Sequence, residues 1–241
     1  TRRSSDLNDI EHLVAVVQTT SEDKNATYPL TPADYLDLKH HNESFESIAA
    51  YQYKRHVLTR LESPVSIMGA AVSPEFFHLF TASPQIGYAF ADSDSGNVND
   101  LVVSDMFWRD HLHSEPAMGY TIELDSRSYR IVGVMPKNFN FPVGTDVWTL
   151  LKFYRKAAND HVSHDIQVIG KLRRGNTVAH SNAELETIAH RLAMDSPDTN
   201  KDGELRAIPL RELITGRMTG QYVLFLLAGV LFVLIMACSN V

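Results

Sequence analysis

Apolar residues come in short, well-punctuated groups along most of this chain and fuse into one long run only near its end. Residues 13–17 (LVAVV) form a compact, valine-rich group bounded by polar residues, which predicts a buried strand. Thr31-Pro32-Ala33-Asp34 places a hydroxyl at an N-cap, proline at the first helical position and an acid in the first turn. That predicts a helix through Tyr35, Leu36 and Leu38. Phe45, Ile48 and Ala49 read as a second short helical turn. Residues 51–59 and 65–72 flank Glu62-Ser63-Pro64, a proline-containing polar break, and predict a hairpin. Ser73-Pro74-Glu75 then reads as the opening of a helix carrying Phe76, Phe77, Leu79 and Phe80, with Ser73 as its N-cap and Pro84 as its stop.

Residues 91–99, rich in Asp, Ser, Gly and Asn, have little to bury and read as a loop. Residues 101–103 predict a brief strand, and Ser104 caps a helix holding Met106, Phe107, Trp108 and Leu112. Residues 121–124 and 129–134 flank Asp125-Ser126-Arg127-Ser128, a second hairpin that Met135-Pro136 ends. Within it, Gly133 is expected where a strand approaches another backbone closely. Residues 148–151 and 166–172 read as further strands. Thr177 is the expected N-cap of a helix whose stripe is Ala179, Ala183, Leu185, Ile188, Ala189, Leu192 and Ala193, terminated by Pro197. Residues 205–210 predict a last strand, and 211–220 connect it to the long apolar run.

That run, residues 222–238 (YVLFLLAGVLFVLIMAC), is about 17 residues long without a charged side chain, the lower edge of bilayer-spanning length. It predicts the start of a transmembrane helix, truncated near its far side. The order of elements predicts an α+β fold: the terminal strand-helix-strand pieces form one subdomain and the middle of the chain is inserted into it.

Composition narrows the function. The 241 residues suffice for one large domain or two small ones, and 44% apolar content supports a core. A formal charge of −7, from 22 basic and 29 acidic side chains, argues against nucleic acid and anionic membrane surfaces as partners. The single cysteine, Cys238, lies inside the apolar run, so the water-facing part can form neither a disulfide nor a thiolate metal site, which fits an oxidising compartment. The start at Thr1-Arg2-Arg3 reads as a piece of a longer protein trimmed at both ends, without a signal peptide or first span.

Reactive constellations are sparse. His40-His41, His111 with His113, and His161 with His164 are close pairs, yet only the last has a spacing that would share a helix face, and it falls in an expected loop. Hydrolase elbows, zinc-protease helices and phosphate loops are missing from the sequence. Ser73 and Ser104 precede expected helices, where capping is the default role. Asp92, Asp94 and Asp100 imitate a calcium loop in composition, but no glutamate stands at its terminal position. Lys171, Arg173 and Arg174 form a basic cluster that reads as a charged turn. No catalytic, cofactor-binding or metal-ligating residue is therefore assigned, and no cofactor is expected.

Six patches occur in a fixed order: residues 31–38; Val72-Ser73-Pro74-Glu75-Phe76-Phe77; Val102-Val103-Ser104 with Phe107-Trp108; residues 129–136 with Phe139, Phe141-Pro142 and Trp148; Gly170-Lys171-Leu172 with Arg174-Gly175; and Ala237-Cys238-Ser239-Asn240-Val241. Together they resemble the MacB-type periplasmic core domain of ABC transporter permeases, and more closely its duplicated-permease branch. The last patch looks like the start of that family's second span. Thr81-Ala82 and Asp125-Ser126-Arg127 depart from the commoner Leu-Gly and Asn-Gly of the family.

The resemblance implies a porter-like subdomain from residues 1–72 and 162–216, an inserted sabre-like subdomain over 73–161, and the start of a transmembrane helix over 217–241. It further implies a non-enzymatic domain of an inner-membrane protein, lying in the periplasm or otherwise outside the cytoplasm. The implied partners are a cytoplasmic ATP-binding cassette subunit or domain, a second permease copy or half, a periplasmic adaptor, and membrane lipid around the C-terminal helix. ATP-driven movement of the membrane helices would pass through residues 211–220 into the domain for export, extraction or signalling. Two rival readings remain: the extracellular ligand-binding domain of a membrane sensor, and a membrane-anchored hydrolase that depends on His161 or His164.

Overall fold

The computed structural model describes residues 12–20, 23, 26–59, 64–90, 99–113, 116–153, 157–213 and 229–230. Its strands are β1 (Leu13–Thr20), β2 (Phe45–Leu58), β3 (Val65–Val72), β4 (Ile86–Gly87), β5 (Asp100–Val103), β6 (Thr121–Leu124), β7 (Arg127–Val134), β8 (Val147–Leu150), β9 (Gln167–Leu172) and β10 (Gly203–Pro209). They form one continuous sheet in the order β10-β1-β9-β2-β3-β8-β5-β7-β4, with β6 pairing β7 and the end of β2. The β3–β8 and β5–β7 pairs are parallel and the remaining pairs antiparallel, so the sheet is mixed. The helices are α1 (Pro32–His41), α2 (Phe76–Leu79), α3 (Asp105–Leu112), α4 (Val178–Asp195) and α5 (Pro197–Asn200). This is an α+β fold.

Both faces of the sheet are covered. Val14 and Val16 of β1 point to a layer made by α1 and α4 with Tyr35, Leu38, Leu185, Ile188 and Leu192. Leu13, Ala15 and Val17 point to the opposite face, where they share a core with Phe76, Phe77, Val102, Val132 and Trp148. A strand buried on both sides has no polar face, which is why LVAVV shows no alternation. A third cluster, Leu101, Val103, Phe107, Ile122 and Ile131 among it, lies under α3 at the far end of the sheet. The cluster containing Trp148 therefore runs beneath both the terminal strands and those contributed by residues 73–161.

Four local expectations need correction. Phe45, Ile48 and Ala49 belong to β2, not to a helical turn. A bulge between Phe45 and Ser47 puts Phe45, Ile48 and Ala50 on one face, so the three-residue spacing that imitated a helix is an extra residue in a strand. The helix after Ser73 is only four residues long, and Ser73 does not cap it with its side chain; Ser73 Oγ accepts the Ala50 N–H at 3.0 Å. In α4, Ala179 and Ala183 are exposed, and Ser181 takes the buried position at that end. The second hairpin turns on Asp125-Ser126 alone, with φ of 51° and 64°, while Arg127 and Ser128 already belong to β7. Two positive φ values match the right-handed twist of the flanking strands.

The other boundaries agree with local chemistry. Thr31 Oγ1 accepts the Asp34 N–H at 3.2 Å and Pro32 opens α1. Ser104 Oγ accepts from Phe107 N at 3.0 Å and Thr177 Oγ1 from His180 N at 3.2 Å. Residues 91–98, which hold most of the acidic loop, lie outside the described residues.

Candidate functional site

The two ends of the sheet-forming chain meet at one corner of the fold. β1 and β10 pair antiparallel from Val14 opposite Pro209 to Thr20 opposite Gly203, so the entering and leaving segments lie side by side. Leu172 N–H donates to His12 O at 3.0 Å, which ties the entry point to β9 as well. Residues 210–213 continue from β10 as a helical turn. Leu210 is buried, and both it and Leu213 pack in the cluster that holds Leu13, Phe77 and Trp148. Residue 213 thus lies against the core that spans the sheet, directly after the strand that pairs with β1. The segment 214–220 and the apolar run, except Gly229 and Val230, lie outside the described residues, among which no helix is long and apolar enough to cross a membrane.

The histidines are not brought together. His41 Nδ1 lies 2.9 Å from Asp37 O at the end of α1, His111 packs on Phe107, and His113 ends α3 with φ of 48°. His164 Nδ1 is 3.1 Å from Pro29 O. Among the described residues no three His, Cys, Asp or Glu side chains stand close enough to hold a metal ion.

His161 sits in a more interesting place. Its Nδ1 is 3.3 Å from Asp34 Oδ1 and its Nε2 3.3 Å from Ser196 Oγ, the connectivity of an acid–base–nucleophile relay. The surroundings do not fit acyl transfer. Ser196 N–H donates to Leu192 O at 2.9 Å, and Pro197 brings no N–H at all, so neither adjacent backbone donor is available for an oxyanion. Asp34 is 1% exposed and also accepts from Asn200 Nδ2 at 2.9 Å. The group therefore fastens the segment before β9 to α1, α4 and α5. In the sequence Asp34 reads as a first-turn acid; its partners lie 127 and 166 residues away, beyond any local signal.

The basic turn is equally well accounted for. Arg173 Nε donates to Glu43 O at 2.8 Å, Lys171 Nζ lies 3.6 Å from Glu46, and the Glu184 carboxylate accepts from the backbone N–H groups of Glu43 and Ser44. Lys171 thus faces an acid and Arg173 a backbone carbonyl, as suits a structural turn. At the other end of the sheet, Arg109 Nε donates to Asp105 at 2.7 Å and Gln85 Nε2 at 2.8 Å. These bonds, Arg109 foremost, hold the Asp105 carboxyl below the usual carboxylate range despite its burial. Arg130 pairs with Asp100 at 2.9 Å, which places that predicted acidic residue in an ion pair.

The family described as MacB-like periplasmic core domain has a sequence model that matches residues 2–188, most of the chain. The chain belongs to this family. The MacB-like domain is accordingly a periplasmic or extracellular domain of an ABC-type permease. No curated protein matches it. Solved structures share its fold. A domain of a putative permease from Porphyromonas gingivalis superposes with a TM-score of 0.63 at 14% identity, over 83% of this chain and 90% of that one. The periplasmic region of MacB from Actinobacillus actinomycetemcomitans gives 0.60 at 13% identity, over 91% of this chain and all (100%) of its own. The extracellular domain of the noncanonic ABC-type transporter YknZ from Gram-positive bacteria gives 0.59 at 13%, over 80% and 98%. The family match ends inside α4, before β10 and the exit turn.

Proposed function

We propose that this MacB-like domain is a non-catalytic, movement-transmitting part of an inner-membrane ABC permease. ATP binding and hydrolysis on a cytoplasmic cassette partner move the membrane helices, and the motion enters the domain through residues 211–220 to drive export, extraction or signalling. The run 222–238 is the start of the membrane helix, with lipid around it. Residues 1–72 with 162–216 act as the porter-like part and 73–161 as the sabre-like part, the latter within reach of a periplasmic adaptor. A second permease copy or half stands beside it.

The observation that carries this reading is the adjacency of the chain ends on β1 and β10, followed directly by Leu210 and Leu213 in the core that runs under both parts of the sheet. A domain built to sense a ligand needs no such joint at its exit.

The test is a flexible Gly/Ser linker of about 20 residues, which behaves as a random coil, inserted after Leu213 in the full-length permease. Transport or signalling should fall at least about tenfold while membrane insertion and ATP hydrolysis persist. Undiminished activity with the slack linker would overturn the proposal.

A further inference from the structure

At the end of β1 farthest from the exit turn, a cavity of about 360 Å³ opens between that strand, Tyr28 and α5, with Gln18, Asp198, Lys201, Asp202 and Gly203 in its wall. Gln18 falls on the sheet face of Val14 and Val16, where the strand otherwise carries apolar residues. Only 8% of Gln18 is exposed, and its Oε1 is buried without a donor among the described residues. Gly203 makes room for this amide, since a Cβ there would lie 2.5 Å from Gln18 Nε2. Buried polar atoms in native folds nearly always have a partner. An acceptor left open in a cavity wall therefore points to a donor brought by a ligand.

The rim sets the chemistry of that ligand. Asp198, Lys201 and Asp202 are exposed and form no ion pair among the described residues. A simple amine would be repelled by Lys201 and a simple carboxylate by the two aspartates, whereas a molecule bearing both groups meets charges of opposite sign at each. Gln18 N–H donates to Tyr28 O at 2.9 Å and Tyr28 N–H to Gln18 O at 2.8 Å, which holds the half-exposed Tyr28 ring beside the amide. An aromatic face attracts an ammonium group.

We propose that this cavity binds a small zwitterion, its ammonium donating to Gln18 Oε1 and facing the two aspartates, its carboxylate pairing with Lys201. The volume lies at the small end of ligand cavities, which run from about 300 to 1,000 Å³, and suits an amino acid or a dipeptide. The site goes beyond the transmission of movement and does not depend on it. Thr20 opposite Gly203 marks this end of the β1–β10 ladder and Val14 opposite Pro209 the other. About 20 Å of strand thus separates the ligand from the exit turn.

The experiment is an NMR titration of the whole 241-residue chain in uncharged detergent micelles, followed at the backbone amide of residue 203. Three probes of similar size separate the groups: glycylglycine, N-acetylglycine, which lacks the ammonium, and glycylglycinamide, which lacks the carboxylate. Glycylglycine should bind saturably with a Kd of about 1 mM or below, and each of the others at least about tenfold more weakly. Gln18→Leu, which suits the apolar neighbours on its face, and Gly203→Ala, which displaces the Gln18 amide, should each weaken glycylglycine about tenfold or more. Lys201→Gln should erase the preference for glycylglycine over glycylglycinamide. Lys201 lies on the surface, so this variant reports on binding whatever the other two do to the fold. No saturable binding below about 10 mM, equal affinity for the three probes, or unchanged binding in any of the three variants would each overturn the site.

Discussion

Asp105 is buried beside its ion-pair partner Arg109, and the sign of its effect on stability follows from the direction of its shift. Its carboxyl titrates lower in the folded chain than in the unfolded one, so its contribution is present above about pH 4 and is lost as pH falls through the folded value. Arg109 is largely exposed, and water screens part of the pairing. Asp105→Asn should therefore flatten the decline in Tm between about pH 4 and pH 2, measured by thermal unfolding across that range. Equal slopes for the variant and the wild type would contradict this assignment. Some residue roles are legible locally. Gly133 was expected at a close backbone approach, and a Cβ there would lie 2.3 Å from Tyr88 O. Others are not. Asp125 reads as a turn residue, yet its carboxylate accepts the Val57 N–H at 2.9 Å and meets the buried His56 Nδ1 at 2.6 Å. Burial works against its charged form, but those bonds bring its carboxyl below the ordinary range. Nothing near Asp125 in the chain announces a partner on β2.

Helix caps were readable because each uses residues three apart. Ser104→Ala and Thr177→Ala should each cost about 1 kcal/mol in urea unfolding, the usual loss when a capping hydroxyl is removed. Ser73→Ala belongs to a different class. It strands the Ala50 N–H inside the protein, and an unpaired buried donor costs about 1–3 kcal/mol. A Ser73→Ala variant as mildly affected as an exposed cap would show that water replaces the lost hydroxyl. The misreading of β2 has the same origin as the misreading of Ser73. A bulge changes the face on which a residue lands, and a strand-to-turn bond replaces a cap, and in both cases the deciding partner sits on another strand. The helix stripe of α4 was correct where it meets β1 and β10, at Leu185, Ile188, Ala189 and Leu192. It failed at Ala179 and Ala183, because alanine is apolar enough to join a stripe and small enough to be left in water.

Across the molecule, Trp148 is the residue on which the two ends of the sheet depend together. It is fully buried, donates Nε1–H to Phe141 O at 3.1 Å, and packs on Phe77 and Phe139. Trp148→Ala should destabilise the domain by about 3–5 kcal/mol. Hydrogen exchange should quicken in β1 and β9 as well as in β5 and β8, since the same cluster supports all four. Acceleration confined to β5 and β8 would mean that the halves unfold independently and that the core does not link them. The α+β class, most strands, three capped helix starts and the family patches could be read from the chain, because periodicity, capping and turn chemistry act over a few residues. The edge position of β10, the single sheet joining first and last strands, and the meeting of Asp34, His161, Ser196 and Asn200 could not. They depend on which strand lies beside which, and that choice is made by burying apolar faces contributed from opposite ends of the chain.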